Sequence, residues 1–140
     1  MKGSTKSIVG TPPTAPQFFG AALLFALFLF AAPAQAATLT VTNGSNTGSG
    51  SLRNTIASAA SGDIIVFSVA VTTVTLTSGE LLIDKDLTIN GGTNGVTITR
   101  SGGTQFRIFN ISTGTVSMNK LTISNGNPGS GQAGGIQNNG

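Results

Sequence analysis

The chain has 140 residues, enough for one domain, carries a formal net charge of +3, and contains neither cysteine nor histidine. Disulfides, thiolate metal sites and Ser-His or Cys-His catalysis are therefore excluded, and the fold must stand on hydrogen-bonded structure and apolar packing alone. Without the first 36 residues, Arg53, Lys85, Arg100, Arg107 and Lys120 stand against Asp63, Glu80, Asp84 and Asp86, a net charge of +1 that gives no reason to propose nucleic acid or an acidic membrane as a partner.

Phe18 to Ala32 reads FFGAALLFALFLFAA, an unbroken apolar run preceded by Lys2 and Lys6 as the only charges. A helix that spans about 30 Å of hydrocarbon needs roughly 20 apolar residues, and this run is shorter. Pro33 ends it, and Ala34-Gln35-Ala36 supplies small residues at alternate positions, the pattern a signal peptidase accepts. Residues 1–36 are thus expected to form a secretory signal peptide, helical through its apolar run and cleaved after Ala36. A retained anchor is the alternative, and the signal segment is the only expected membrane contact.

The remainder is rich in Thr, Ser, Gly, Asn, Val, Ile and Leu, and its short β-favouring runs are punctuated by Gly and Asn-Gly. Thr38–Thr42 is the first expected strand. Ser51 to Ala60 breaks the strand pattern: Leu52, Ile56 and Ala59 or Ala60 share one helical face, Ser51 is available as N-cap and Gly62 as the C-terminal stop. So short a helix is marginal alone and must be held by packing that face onto something. Further strands are expected at Ile64–Ser68, Thr73–Thr77, Glu80–Ile83, Leu87–Asn90, Val96–Thr99, Phe106–Ser112, Thr115–Met118 and Leu121–Ser124. Most alternate an aliphatic with Thr, Ser or Asn, as in Val74-Thr75-Leu76, so one face is buried and the other is wet.

Two stretches repeat a phrase. GELLIDKDLTING, Gly79 to Gly91, is echoed by GTVSMNKLTISNG, Gly114 to Gly126, at a shift of 34 or 35. A looser echo runs through Ile65-Val66-Phe67, Leu87-Thr88-Ile89 and Phe109-Asn110-Ile111 about every 22 residues, and Val74 and Val96 keep the same spacing. A coil of about 22 residues with three short strands and three turns is the unit of a parallel β-helix, each strand pairing with its equivalent one coil on. The longer phrase then reflects a similar strand and turn reused in another coil with a loop insertion. Asn90, Asn110 and Asn125, at strand ends, either stack into a side-chain amide ladder or serve positive backbone angles before glycine. A β-sandwich is the competing fold, because Asn-Gly is also a hairpin signal; it neither requires the shared spacing nor gives the single helix a role.

Gly50-Ser51-Leu52-Arg53, Thr55-Ile56-Ala57 and Ser61-Gly62-Asp63-Ile64-Ile65-Val66-Phe67 resemble the N-terminal signature of bacterial secreted right-handed parallel β-helix proteins. These are the pectate-lyase-like repeat proteins that include polymorphic outer-membrane and autotransporter-like adhesins. The likeness continues through Leu87-Thr88-Ile89-Asn90-Gly91, Arg107-Ile108-Phe109-Asn110-Ile111, Leu121-Thr122-Ile123-Ser124-Asn125-Gly126 and Gly134-Gly135-Ile136-Gln137-Asn138. It implies an all-β, right-handed parallel β-helix whose short helix covers the first coil through Leu52 and Ile56. The expected organisation is signal peptide 1–36, N-terminal strand and capping helix 37–63, and the first coils of the helix 64–140. The resemblance also makes the chain the front of a longer protein whose last coil has an open edge, a place for edge-to-edge self-association.

Function divides into three classes. An exported adhesin-like or structural protein, secreted or on the cell surface and facing an unidentified surface ligand or polysaccharide, needs no catalytic residues. A polysaccharide lyase or glycoside hydrolase needs paired carboxylates or a carboxylate set for calcium. Asp84 and Asp86 flank Lys85 and read as a solubilised turn, Arg100 and Arg107 as solvated surface charges and Arg53 as the wet side of the cap helix, so such a site is expected beyond residue 140. Binding of ice or crystalline polysaccharide is the third class, through the Thr rows of Thr38–Thr42, Thr73–Thr77 and Thr97–Thr99. No catalytic residue, cofactor or metal ligand is assigned within the chain.

Overall fold

The computed structural model describes residues 35–140 together with Gly3, Thr5, Gly10, Thr11, Pro13 and Thr14. The expected signal helix and Ala34 lie outside the described residues. Pro33–Gly140 forms a compact unit of its own.

The strands are β1 (Thr38–Val41), β2 (Asp63–Phe67), β3 (Thr73–Leu76), β4 (Leu81–Ile83), β5 (Leu87–Asn90), β6 (Val96–Arg100), β7 (Phe109–Ile111), β8 (Val116–Asn119), β9 (Leu121–Ser124) and β10 (Ile136–Asn138). The one helix among the described residues, α1 (Leu52–Ser58), lies between β1 and β2. Strands form three sheets, β1-β2-β5-β8, β3-β6-β9 and β4-β7-β10, and the chain visits them in turn. Among the described residues all ladders are parallel. The fold is a right-handed parallel β-helix of about four coils, the hand that parallel crossovers take almost without exception. A sandwich of hairpins is ruled out, since the one antiparallel pairing among the described residues is the isolated bridge of Phe106 and Asn127.

Period-2 alternation places the core. Leu39, Ile65, Ile89 and Met118 stand side by side in the first sheet, Val74, Ile98 and Ile123 in the second, and Leu81, Phe109 and Ile136 in the third. In the middle coils these side chains are fully buried; in the fourth coil Met118 and Ile123 are partly covered and Ile136 is exposed.

The coil is longer than the expected 22 residues. Thr38 stands beside Ile64, Asp63 beside Leu87 and Leu87 beside Val116, offsets of 26, 24 and 29 residues. Val74 pairs with Ile98, not Val96, and Phe109 belongs to the third sheet, beside Leu81, rather than in line with Ile65 and Leu87. Between β2 and β5 and between β3 and β6 the offset is 24, an error of two residues that keeps inward side chains inward, because a strand repeats its facing every second residue.

The repeated phrase also resolves. Its first copy is β4, a corner and β5; its second is β8, a corner and β9. The first passes from the third sheet to the first, and the second from the first sheet to the second. The phrase therefore encodes a strand-corner-strand unit reused one coil and one face further along, with no loop insertion needed to account for the longer shift. Its Asn-Gly is a site of close backbone approach: a Cβ at Gly91 would collide with the Lys120 carbonyl oxygen of the next coil, and one at Gly126 with that of Gly134 across the connection between β9 and β10.

Candidate binding face

The outer surface of the second sheet carries the most regular chemistry. Thr73, Thr97 and Thr122 form one row across its three strands, and Thr75, Thr99 and Ser124 form a second. Adjacent strands in a sheet lie about 4.7–4.9 Å apart, so the hydroxyls repeat along the solenoid axis at that spacing. Thr73 and Thr122 are exposed and the other four are half-buried. Thr99 Oγ1 accepts a hydrogen bond from Asn125 Nδ2 at 3.0 Å, which orders the far end of the second row. At the near end, Ser45, Asn46, Thr47, Thr75 and Thr77 line an open depression of about 380 Å³. The first sheet's outer rows are less uniform: Thr38, Ile64, Thr88 and Ser117, then Thr40, Val66, Asn90 and Asn119.

The third sheet's outer face is a polar network instead. Asn110 Nδ2 donates to Glu80 Oε1 at 2.7 Å, and Asn139 Nδ2 donates to Asn110 Oδ1 at 3.3 Å. Arg107 Nε lies 3.0 Å from Glu80 Oε2, an ion pair held by proximity of charge with no aligned hydrogen bond on that nitrogen. Arg107 also donates to Gln132 Oε1.

Of the residues expected to form the cap, Ser51 is the N-cap of α1, its Oγ accepting from Asn54 N at 3.4 Å and donating to the Gly48 carbonyl at 2.7 Å. Leu52 and Ile56 are buried in the core cluster. Gly62 does not stop the helix. The C-cap is Ala59, whose N–H reaches the Thr55 carbonyl, and Gly62, at φ +91°, turns the chain into β2 and donates to the Asp86 carbonyl.

Asn90, Asn110 and Asn125 are not brought together. Asn90 lies in the first sheet and Asn110 in the third, while Asn125 follows the second. Asn90 works locally, its Oδ1 accepting from Gly92 N at 2.9 Å to close a turn; Asn110 bonds across coils to Glu80 and Asn139, and Asn125 alone of the three takes a positive φ, 57°. A one-coil offset longer than 22 residues, together with Phe109 falling on another face, is what removes their alignment.

The arginines are not solvated surface charges. Arg53 leaves the helix to donate to the Gly79 carbonyl at 2.8 Å, the Glu80 carbonyl at 2.7 Å and the Asn46 carbonyl at 3.3 Å. Burial pushes its guanidinium below the ordinary arginine value. Arg100 similarly donates to the carbonyls of Asn125, Gly102 and Thr104, and its guanidinium lies 5.8 Å from the Phe106 ring centre. These guanidiniums clip loops whose carbonyls have no ladder partner, and their five-donor fork suits them to it. Arg53→Ala is expected to lower stability by about 2–3 kcal/mol, the scale of losing hydrogen bonds to a charged group. Arg53→Lys should restore less than half, because an ammonium cannot reach three carbonyls in a fork. Urea midpoints of the two variants check this.

The carboxylates stand apart. The Asp84 side chain is 60% exposed and lies 3.5 Å from Lys85 Nζ, which also donates to the Ala59 carbonyl at 3.1 Å. Asp86 braces neighbouring coils, Oδ1 accepting from Thr115 N at 2.7 Å and Oδ2 from Ser61 Oγ at 3.3 Å. Among the described residues no three His, Cys, Asp or Glu side chains gather where they could hold a metal ion, and no helix is long and apolar enough to cross a membrane. Two roles had a readable signal that the sequence reading passed over: Asp63 shares the parity of Ile65 and Phe67, and Asp86 precedes a strand at the same place in its coil as Gly62. Comparison with protein-family models, curated proteins and solved structures returned no match.

Proposed function

We propose that this is an exported β-helix protein, bacterial in kind, secreted or held at the cell surface, that presents its hydroxyl-bearing faces to a polysaccharide or other surface ligand and performs no catalysis in residues 37–140. The observation that carries the reading is the pair of aligned rows Thr73-Thr97-Thr122 and Thr75-Thr99-Ser124. Each threonine offers a methyl group and a hydroxyl side by side, and the ladder repeats that pair along one axis. A polymer whose sugar rings expose C–H patches and hydroxyls in repeat can meet such a lattice along its length. The rigid scaffold supplies the spacing at no conformational cost upon binding. Where the fourth coil's strands β8, β9 and β10 have a free side, further coils or a second copy of the chain can add by parallel pairing.

The test is co-sedimentation of the protein with insoluble glycans, pectate, cellulose and chitin among them, using ice as a control lattice. Changing Thr73, Thr97 and Thr122 together to Val keeps the shape and removes three hydroxyls. At about 0.5–1.5 kcal/mol per hydrogen bond, affinity should fall tenfold or more. Unchanged binding removes this face from consideration. Adsorption to ice but to no glycan replaces the proposed ligand with water.

A parallel assay on pectate and alginate, with and without calcium, is expected to show no turnover, and Asp84→Asn and Asp86→Asn to change nothing. Turnover that vanishes in those variants would establish a lyase at the corner between β4 and β5.

A further inference from the structure

Asp63 stands where the strand pattern calls for a core side chain. It opens β2, shares the inward parity of Ile65, and lies in the row continued by Leu87 and Val116. It is 5% exposed. A carboxylate placed there is costly unless its oxygens are met, and both are: Oδ1 accepts from Ala37 N at 2.8 Å and Oδ2 from Ala60 N at 2.8 Å. Ala37 also accepts, through its carbonyl, from Ile64 N at 2.8 Å. Gln35 and Ala36 are exposed and outside any strand, and Ala37 directly follows the Ala34-Gln35-Ala36 triplet. The residue that ties the chain's entry into the ladder is thus the residue that cleavage after Ala36 would leave first.

We infer that Ala37 is the N-terminus of the working protein and that its α-ammonium docks on Asp63 as an ion pair built into the first coil. The inference rests on the export reading above. Signal peptidase adds water across the Ala36–Ala37 bond: the leader departs with a carboxylate on Ala36, and the Ala37 nitrogen takes up the protons to become an ammonium. A neutral N–H donor is replaced by a charged one at the same position, and a charge-assisted hydrogen bond is roughly twice as strong as a neutral one. Ala37 itself is exposed, so the two remaining ammonium protons reach water and no charge is stranded. The other charged side chains at this corner are Lys85, on the Ala59 carbonyl, and Asp86, on Ser61 Oγ. Removal of the leader therefore tightens the fold, and the precursor carries the weaker version of the same contact until it has been exported.

The core side chains run from Val41 to Ile111, within the compact unit that starts at Pro33, so chains beginning near Ala37 can be compared directly. Three are needed: one starting at Ala37 with a free amine, the same chain Nα-acetylated, and one starting at Gln35. The free-amine chain is expected to melt higher than the other two by about 4–8 °C, and Asp63→Asn should abolish the difference. Its α-amino group should titrate above the ordinary value of about 7.7–8.0. A raised folded value means the advantage is fully present below the ordinary value and is lost as pH rises through the raised one. Equal melting of all three chains, or a difference that survives Asp63→Asn, overturns the ion pair. Should Asp63→Asn fail to fold, the titration of the native amine decides: an ordinary value overturns the pair and a raised one supports it. Sequencing the N-terminus of exported protein tests the processing step separately, and a start other than Ala37 overturns that step whatever the melting data show.

Discussion

Leu52→Asp and Ile56→Asp each unfold the solenoid or drive it into aggregates, a loss expected to exceed about 4 kcal/mol. Leu52 is 0% exposed and Ile56 4%, and both belong to the core cluster. An aspartate at either place buries a charge with no partner, or forces the helix off the first coil to rehydrate it. Lifting α1 has a second cost, because Arg53 would release the Gly79 and Glu80 carbonyls just before β4, whose other side pairs with β7. Leu52→Ala separates the two effects. It leaves a cavity without a charge and should cost about 2–5 kcal/mol while the helix stays in place. Thermal melts and light scattering of the three variants check this. If both aspartate variants melt and stay soluble as the parent does, α1 is not the seal of the first coil.

Phe109→Ala is expected to cost about 3–5 kcal/mol and to loosen the later coils before the earlier ones. Phe109 is the largest of the fully buried side chains, in the middle strand of the third sheet between Leu81 and Ile136. In a solenoid each coil is held by its neighbours, so stability divides into terms between adjacent coils. The third coil is where Phe109 joins the well-buried interior to the partly covered fourth. Hydrogen exchange should then show protection lost first at β8, β9 and β10, with β2 and β3 retaining theirs. Uniform loss along the chain would mean the four coils unfold as one unit.

Much of this architecture was legible because strand facing is a local property. Successive side chains point to opposite faces whatever the strand pairs with, so Val74, Leu76, Ile89 and Ile98 could be assigned inward from the sequence alone. The helix was equally readable from the spacing of Leu52 and Ile56 and from Ser51 as its cap, and the parallel coil from the recurrence of short strands between glycines.

Register was not legible in the same way. The offset between paired strands depends on the length of the corners, and these vary freely: the chain takes one residue, Lys120, between β8 and β9 but eight between β6 and β7. A two-residue error in offset, as between β2 and β5 or β3 and β6, leaves the hydrophobic pattern intact, so nothing in the pattern corrects it there. For that reason the Asn residues could not be placed on their sheets, nor Thr73, Thr97 and Thr122 recognised as one row.

The remaining roles belong to the folded chain because their partners are backbone atoms. Arg53, Arg100, Asp63 and Asp86 bind carbonyls or N–H groups that loops leave unpaired. Every residue except proline carries both groups, so no residue type in the sequence marks which one an arginine or aspartate will meet. Composition and alternation decide which side chains leave water; the path of the chain through its corners decides which buried polar atoms then need a charge beside them.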